Sequence, residues 1–275
     1  MWYTASAPRH NVLGFSNPSS TSEAALFSFH PLVFLYFMLT FFLVPYPIYR
    51  LIAKRWNWEV NQKSVARHWR DTMLAFSYGL ILFIFGNYSR TYTWITVLVF
   101  YPSLFGYALI AELPFTKTSL PEIKHWPKGM WVVFLVALGI ILAFAGVHIY
   151  FATQLPFPFV VYYVCALLVP IFFMTIAFLL KKEVNQNWIR TKYHQYQSKR
   201  RAKADLEGQS KTDDTISSPY RNTISIHIHH WQIFYVLAFF TRFTHPVSQV
   251  AAGIVLACYM QGICAYGYDP LVNDD

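Results

Sequence analysis

Three histidines, His227, His229 and His230, fall within four positions of TISIHIHHWQIFYVLAFF (residues 223–240), at the edge of an apolar run. Imidazole nitrogens and carboxylate oxygens are the ligands zinc and non-haem iron accept, and catalytic sites of such metals use about three protein ligands and leave a position open. Local geometry limits which imidazoles can cooperate. In a helix His227 and His230 share a face; in an extended segment the alternation TISIHIH puts His227 and His229 on one side with Ser225. Either way a metal needs partners from elsewhere. The natural ones are His68 and Asp71 in ARHWRDTM and Asp269 in YGYDP, with Glu112 in IAELPF as a further carboxylate. The spacing is HxHH, unlike the HxxHH boxes of membrane desaturases, and no HExxH is present. The plainer reading, and the preferred one, is that the histidines and Trp231 anchor a span at the membrane interface, where amphipathic rings are at home.

The elements that would position these residues are membrane spans. Of the 275 residues 55% are hydrophobic and only 13% charged, against about 25% charged in a soluble domain. A span needs about 20 mainly apolar residues. Five stretches qualify readily: Ala24–Ile52, Thr72–Tyr88, Thr91–Ala111, Met130–Phe151 and Phe157–Leu180. Two more follow, Ile228–Phe243 and Val247–Tyr266. The sixth is the weakest, because Arg242 shortens its apolar part; a re-entrant half-helix is the alternative, and snorkelling of Arg242 and the histidines to opposite interfaces would let it span. The expectation is an all-α integral membrane protein, a bundle of about seven transmembrane helices.

Charge supplies an independent check, since cytoplasmic loops are rich in Lys and Arg. With seven spans the loops 50–71, 112–129 and 181–224 carry six, three and ten basic residues, nineteen of the 22 in the chain, on one side. The amino terminus is therefore expected outside and the carboxyl terminus inside. The net charge of +9 points to anionic headgroups as partner and not to nucleic acid, because the cations flank apolar spans. Residues 1–23 read as a polar tail without the apolar core of a secretory signal, 24–180 as the first five spans, 181–224 as a basic extension of the fifth helix and a flexible loop, 225–271 as the last two spans, and 272–275 as a tail.

The last span is rich in small residues, from Ala251 to Gly267, which permit close approach in lipid; this places it centrally, with Gln249 and Gln261 facing inward to bond other helices. Pro45, Pro47, Pro102 and Pro170 should kink or end helices. Cys165, Cys258 and Cys264 lie in apolar stretches as small hydrophobes. The sequon at Asn87 sits too near the bilayer to be modified. His30 and His148 near one boundary and the other histidines near the opposite one have the two-leaflet layout of bis-histidine haem sites. Each is equally explained as a helix-end residue, however, and haem is not the reading adopted. A transporter is a minor alternative, for want of a mid-membrane charge or a repeated broken helix. Function is thus expected to be either that of a non-catalytic membrane component packing with lipid or partner subunits, or that of a zinc or iron enzyme acting on a lipid-borne substrate at the inner face.

Overall fold

The structure is a computed structural model that describes residues 26–116, 124–204 and 218–274. The expected tail 1–23 and most of the loop after residue 204 lie outside the described residues. The chain divides into two units, Met1–Ala166 with His230–Tyr268, and Leu167–His229 with Asp269–Asp275.

In the first unit, α1 (Pro31–Met38) begins at Pro31, where a missing N–H costs nothing, with His30 as N-cap accepting from the Val33 N–H. It runs through a π-helical turn (Leu39–Leu43) into α2 (Pro45–Arg55). The wide turn follows from Pro45, which cannot donate and crowds the carbonyl four residues back; Val44 N–H bonds Leu39 O instead. Next come α3 (Val65–Phe85), capped by Ser64, the short α4 (Tyr88–Thr91), α5 (Trp94–Ala111) with Pro102 inside it, and α6 (Lys128–Thr153). α7 (Phe157–Gln186) begins in this unit and continues into the second. After residue 229 the chain returns as α9 (His230–Ala238) and α10 (Pro246–Ala265).

Among the described residues five helical stretches are long and apolar enough to cross a membrane: Pro31–Arg55, α5, α6, α7 and α10. They overlap five of the expected spans. α3 has a sufficient 21 residues, but its first two turns carry Arg67, His68, Arg70 and Asp71.

The expected central position of the last span holds: 78% of α10's apolar window is buried, against 6% for α6 and for α7. Small residues let α10 sit against its neighbours. A Cβ on Gly253 would lie 2.8 Å from Thr96 O and 2.9 Å from Val99 Cβ of α5. Gln249 accepts from the Thr93 hydroxyl at 2.9 Å, and Gln261 donates to the Tyr49 hydroxyl at 3.2 Å, the inward bonds anticipated. Around this axis lies an aromatic core of Phe37, Phe41, Phe42, Phe83, Tyr88 and Phe100, all at most 2% exposed, with many ring pairs edge to face.

The segment expected as the sixth span is not one helix. α9 has nine residues, about 13–14 Å of rise, and the chain unwinds after Ala238. It nonetheless follows the length of α10. Trp231 lies against Gly262 near that helix's end, and Phe243 N–H bonds Ser248 near its start, so residues 231–243 run antiparallel past most of it. The unwound backbone is served locally. Tyr88 and Thr241 hydroxyls donate to Ala238 O, Asn87 Nδ2 to Arg242 O, and Gln249 Nε2 to Thr244 O at 2.8 Å. Arg242 is held within the protein. It is 3% exposed, its guanidinium is stacked 4.3 Å from the Tyr162 ring centroid, and Nη2 donates to Leu26 O.

In the second unit the basic segment does not extend α7 as one rod. Asn187 takes a left-handed conformation (φ 49°) and separates α7 from α8 (Trp188–Ala204). The buried Glu183 caps the new helix, accepting from Ile189 N–H at 2.6 Å and pairing with Arg190 at 3.3 Å. A two-stranded antiparallel ladder, β1 (Ile224–Ile226) with β2 (Val272–Asp274), was not foreseen; it pairs Ile224 with Asp274 and Ile226 with Val272. Asn185 of α7 bonds both the N–H and the C=O of Ile224 at 2.9 Å.

Candidate functional site

A cluster of ionisable groups in the first unit gathers where α10 ends. A helix leaves its last four carbonyls without intrahelical partners. Here each finds one: Gly262 O accepts from Tyr266 and Gly267 N–H, Ile263 O from Lys63 Nζ at 2.9 Å, Cys264 O from Arg50 Nη1 at 3.3 Å, and Ala265 O from Asn61 N–H at 2.9 Å. Two of these donors are cations facing the negative end of the helix dipole.

Asp71 stands behind them. Its side chain is 0% exposed; Oδ2 is 2.9 Å from Lys63 Nζ, itself 1% exposed, and Oδ1 is 3.4 Å from Arg67 Nε and accepts from Tyr268 N–H. Burial holds the Lys63 ammonium below its ordinary range, an effect opposed by the hydrogen bond and attraction of Asp71. Lys63 also donates to the Tyr46 hydroxyl at 3.3 Å, which lies 2.8 Å from His68 Nδ1. The phenol thus joins the lysine to the imidazole. Gly267 closes the cluster at φ 95°, where a Cβ would meet Asp71 Oδ2 at 2.7 Å and Lys63 Nζ at 3.1 Å. Beside Asp71 and Tyr46 lies a cavity of about 50 Å³ walled by Phe42, Ala75, Met260 and Ile263. That is room for a water or two and far below the ~300–1,000 Å³ of a small-molecule site.

The residues expected as metal ligands therefore occupy several settings. In the first unit, Asp71 is enclosed by cations, His68 bonds Tyr46, and Glu112 accepts from Glu59 N–H at 2.7 Å. His230, the first residue of α9, is exposed in that unit. His227, His229 and Asp269 belong to the second. There the extended alternative is the one taken: β1 leads directly into His227, whose N–H donates to Leu271 O, and the His227 and His229 rings lie 5.9 Å apart and tilted by 30°. Burial lowers the basicity of His229, Asp269 and a bond to the Pro270 backbone oppose this, and the neighbouring His227 adds to it. Among the described residues no group of three or more His, Cys, Asp or Glu is arranged to hold a metal ion.

A second polar cluster surrounds Asn87, which is 1% exposed, left-handed at φ 61°, and accepts from the Ser28 hydroxyl at 2.8 Å while Nδ2 donates to Arg242 O. Ser89 bonds Ser28 in turn. The sequon asparagine is thus committed inside the protein. Both nitrogens of His148 are engaged, Nδ1 with Phe144 O at 2.7 Å and Nε2 with the Ser248 hydroxyl at 2.9 Å.

Sequence reasoning passed over Lys63, Arg50, Tyr46 and Gly267. The first two entered only as topology-setting cations; a signal was present in the concentration of Lys and Arg before Asp71, but their targets lie some 200 residues away in the chain. No protein family, curated protein or solved structure matches this chain, and its own residues carry the functional reading.

Proposed function

We propose that the chain is a non-catalytic, multi-pass integral membrane component that packs with lipid and partner subunits. The observation that carries the proposal is the state of α6 and α7: 26 and 30 residues long, strongly apolar, and buried over only 6% of their spanning windows. Such surface is stable only against hydrocarbon or another membrane protein. The polar cluster at the end of α10 supports the non-catalytic part, because its carboxylate and cations close a helix end and leave a cavity too small for a substrate. We place seven crossings in the bilayer, with α3 as the second and residues 230–245 as the sixth, which sets the amino terminus outside and the carboxyl terminus and α8 inside. The test is resistance to alkaline carbonate extraction together with labelling by a photoactivatable lipid. Heavy labelling of Val132–Ile149 and Val160–Leu179 with little in Ala251–Cys264 is expected; release by carbonate ends the proposal.

A second reading rests on the adjacent His227 and His229 with the attraction of Asp269 on the latter. This trio would serve as the protein part of a zinc or iron centre in an enzyme acting on a lipid-borne substrate. Elemental analysis of purified protein tests it. Stoichiometric zinc or iron that disappears in His227→Ala and His229→Ala would favour it over the first reading.

A further inference from the structure

We propose that α8 is an amphipathic helix that lies on the bilayer surface and binds anionic lipid headgroups; this rests on the membrane reading above and names the partner of the basic segment. Three observations lead to it.

The first is placement. The apolar part of α7 ends at Leu180, followed by the exposed Lys181 and Lys182, and α7 itself ends six residues, about 9 Å, beyond that point. α8 thus starts at headgroup depth. The left-handed Asn187 interrupts the helix there, and Glu183, accepting from Ile189 N–H, caps the new one, so α8 is free of α7's axis.

The second is the distribution of side chains. At 100° per residue Ile189, Tyr193, Tyr196 and Arg200 share one face, flanked on the same side by Lys192 and Lys199, while Thr191, His194, Gln195 and Ser198 occupy the opposite face. The three apolar members are 50%, 58% and 64% exposed. Aromatic and aliphatic bodies between cations on one face are the pattern of an interfacial helix: rings enter the acyl boundary and the cations meet phosphates and carboxylates.

The third is stability. Among the described residues, the ion pair and cation–π contacts of α8 with the rest of the unit fall in its first turn: Glu183–Arg190, Arg190–Tyr220 and Lys182–Trp188. A helix of 17 residues tied down at one end is little longer than the ~12–15 residues at which isolated helices are marginal in water. A surface complementary to its basic face supplies what packing does not, and an anionic one meets both halves of that face.

Full-length protein in nanodiscs of phosphatidylcholine alone, or of phosphatidylcholine with phosphatidylserine, would be followed by hydrogen exchange over residues 188–204. Exchange is expected to slow roughly tenfold or more in the anionic discs, given the bias each basic side chain gains near an anionic surface. The variant Lys192→Gln/Lys199→Gln/Arg200→Gln, which keeps helix propensity, should lose that difference, and Tyr193→Ala/Tyr196→Ala should reduce it. Equal exchange in the two lipids overturns the proposal: fast in both means an unbound helix, slow in both means a protein contact. Failure of the chain to enter discs would sink the membrane reading as well, whereas insertion with lipid-independent exchange sinks the α8 proposal alone.

Discussion

Removing either member of the Lys63–Asp71 pair should harm the protein far more than removing both. The two side chains are 1% and 0% exposed at 2.9 Å separation, so neither charge can be rescued by solvent in place. Asp71→Leu strands the Lys63 ammonium, and Lys63→Met strands the carboxylate beside Arg67 alone; each should cost about 3–5 kcal/mol. The double variant leaves no buried unpaired charge of this pair. What it loses is the donor to Ile263 O and the weak acceptor for Tyr268 N–H, about 1–3 kcal/mol. The single variants therefore sum to about 6–10 kcal/mol, and a cycle should return a coupling of at least about 3 kcal/mol. Reversible unfolding in mixed micelles, or thermal unfolding in detergent read as relative stability, measures all four proteins. Arg67 is 27% exposed and can turn toward solvent, so it should contribute little to the coupling. Additive single effects, or a double variant weaker than either single, would refute the reasoning, because the pair would then not be the unit that is stabilised.

Three other outcomes follow from the same contacts. Gly253→Ala drives a Cβ to 2.8 Å from Thr96 O and should destabilise by about 1–3 kcal/mol, while Gly139→Ala and Gly146→Ala on α6, with nothing within 4 Å, should be neutral or slightly stabilising in the same unfolding assay. Gly267→Ala, strained at φ 95° and directed at Asp71, should cost at least about 1–3 kcal/mol, and pairing it with Asp71→Leu should relieve the steric part. For His229 the sign is set by a folded-state basicity below the ordinary value of 6.5: as pH falls through 6.5 the unfolded segment takes up a proton first, so stability present above that value is lost through the folded-state pKa. Hydrogen-exchange protection of His227 N–H, bonded to Leu271 O just beyond the β1–β2 ladder, should, corrected for intrinsic rate, fall between pH 7.5 and pH 5, and His229→Gln should flatten the profile.

Much of this was legible from the chain because length and hydropathy are local properties. The stretches 24–52, 91–111, 130–151, 157–180 and 247–266 overlap helices long enough to cross a membrane, and the small residues after Gln249 foretold a central α10. The breaks were harder to read. Nothing short of three-dimensional context marks Ala238 as a helix end, since the partners that accept the break, Tyr88, Asn87 and Gln249, come from other elements. Asn187, by contrast, is a residue tolerant of the left-handed region, and its position within a charged run hid it. The polar cluster at the end of α10 was hidden for a related reason. Asp71 and His68 were weighed by what they can ligate, while the groups that engage them, Lys63 and Tyr46, were visible only as a topology-setting cation and one tyrosine among many.

Topology tagging tests the account's central claim most directly. Tags at the amino terminus, after Ser119, near Gln209 and at the carboxyl terminus would be exposed to an impermeant reagent in sealed cells or organelles; all four positions lie outside the described residues. Seven crossings with nineteen of 22 basic residues on the inner side require that only the amino-terminal tag be labelled before permeabilisation. Labelling near Gln209 would contradict the orientation, and labelling of the carboxyl-terminal tag in addition to the amino-terminal one would mean that residues 230–245 do not cross.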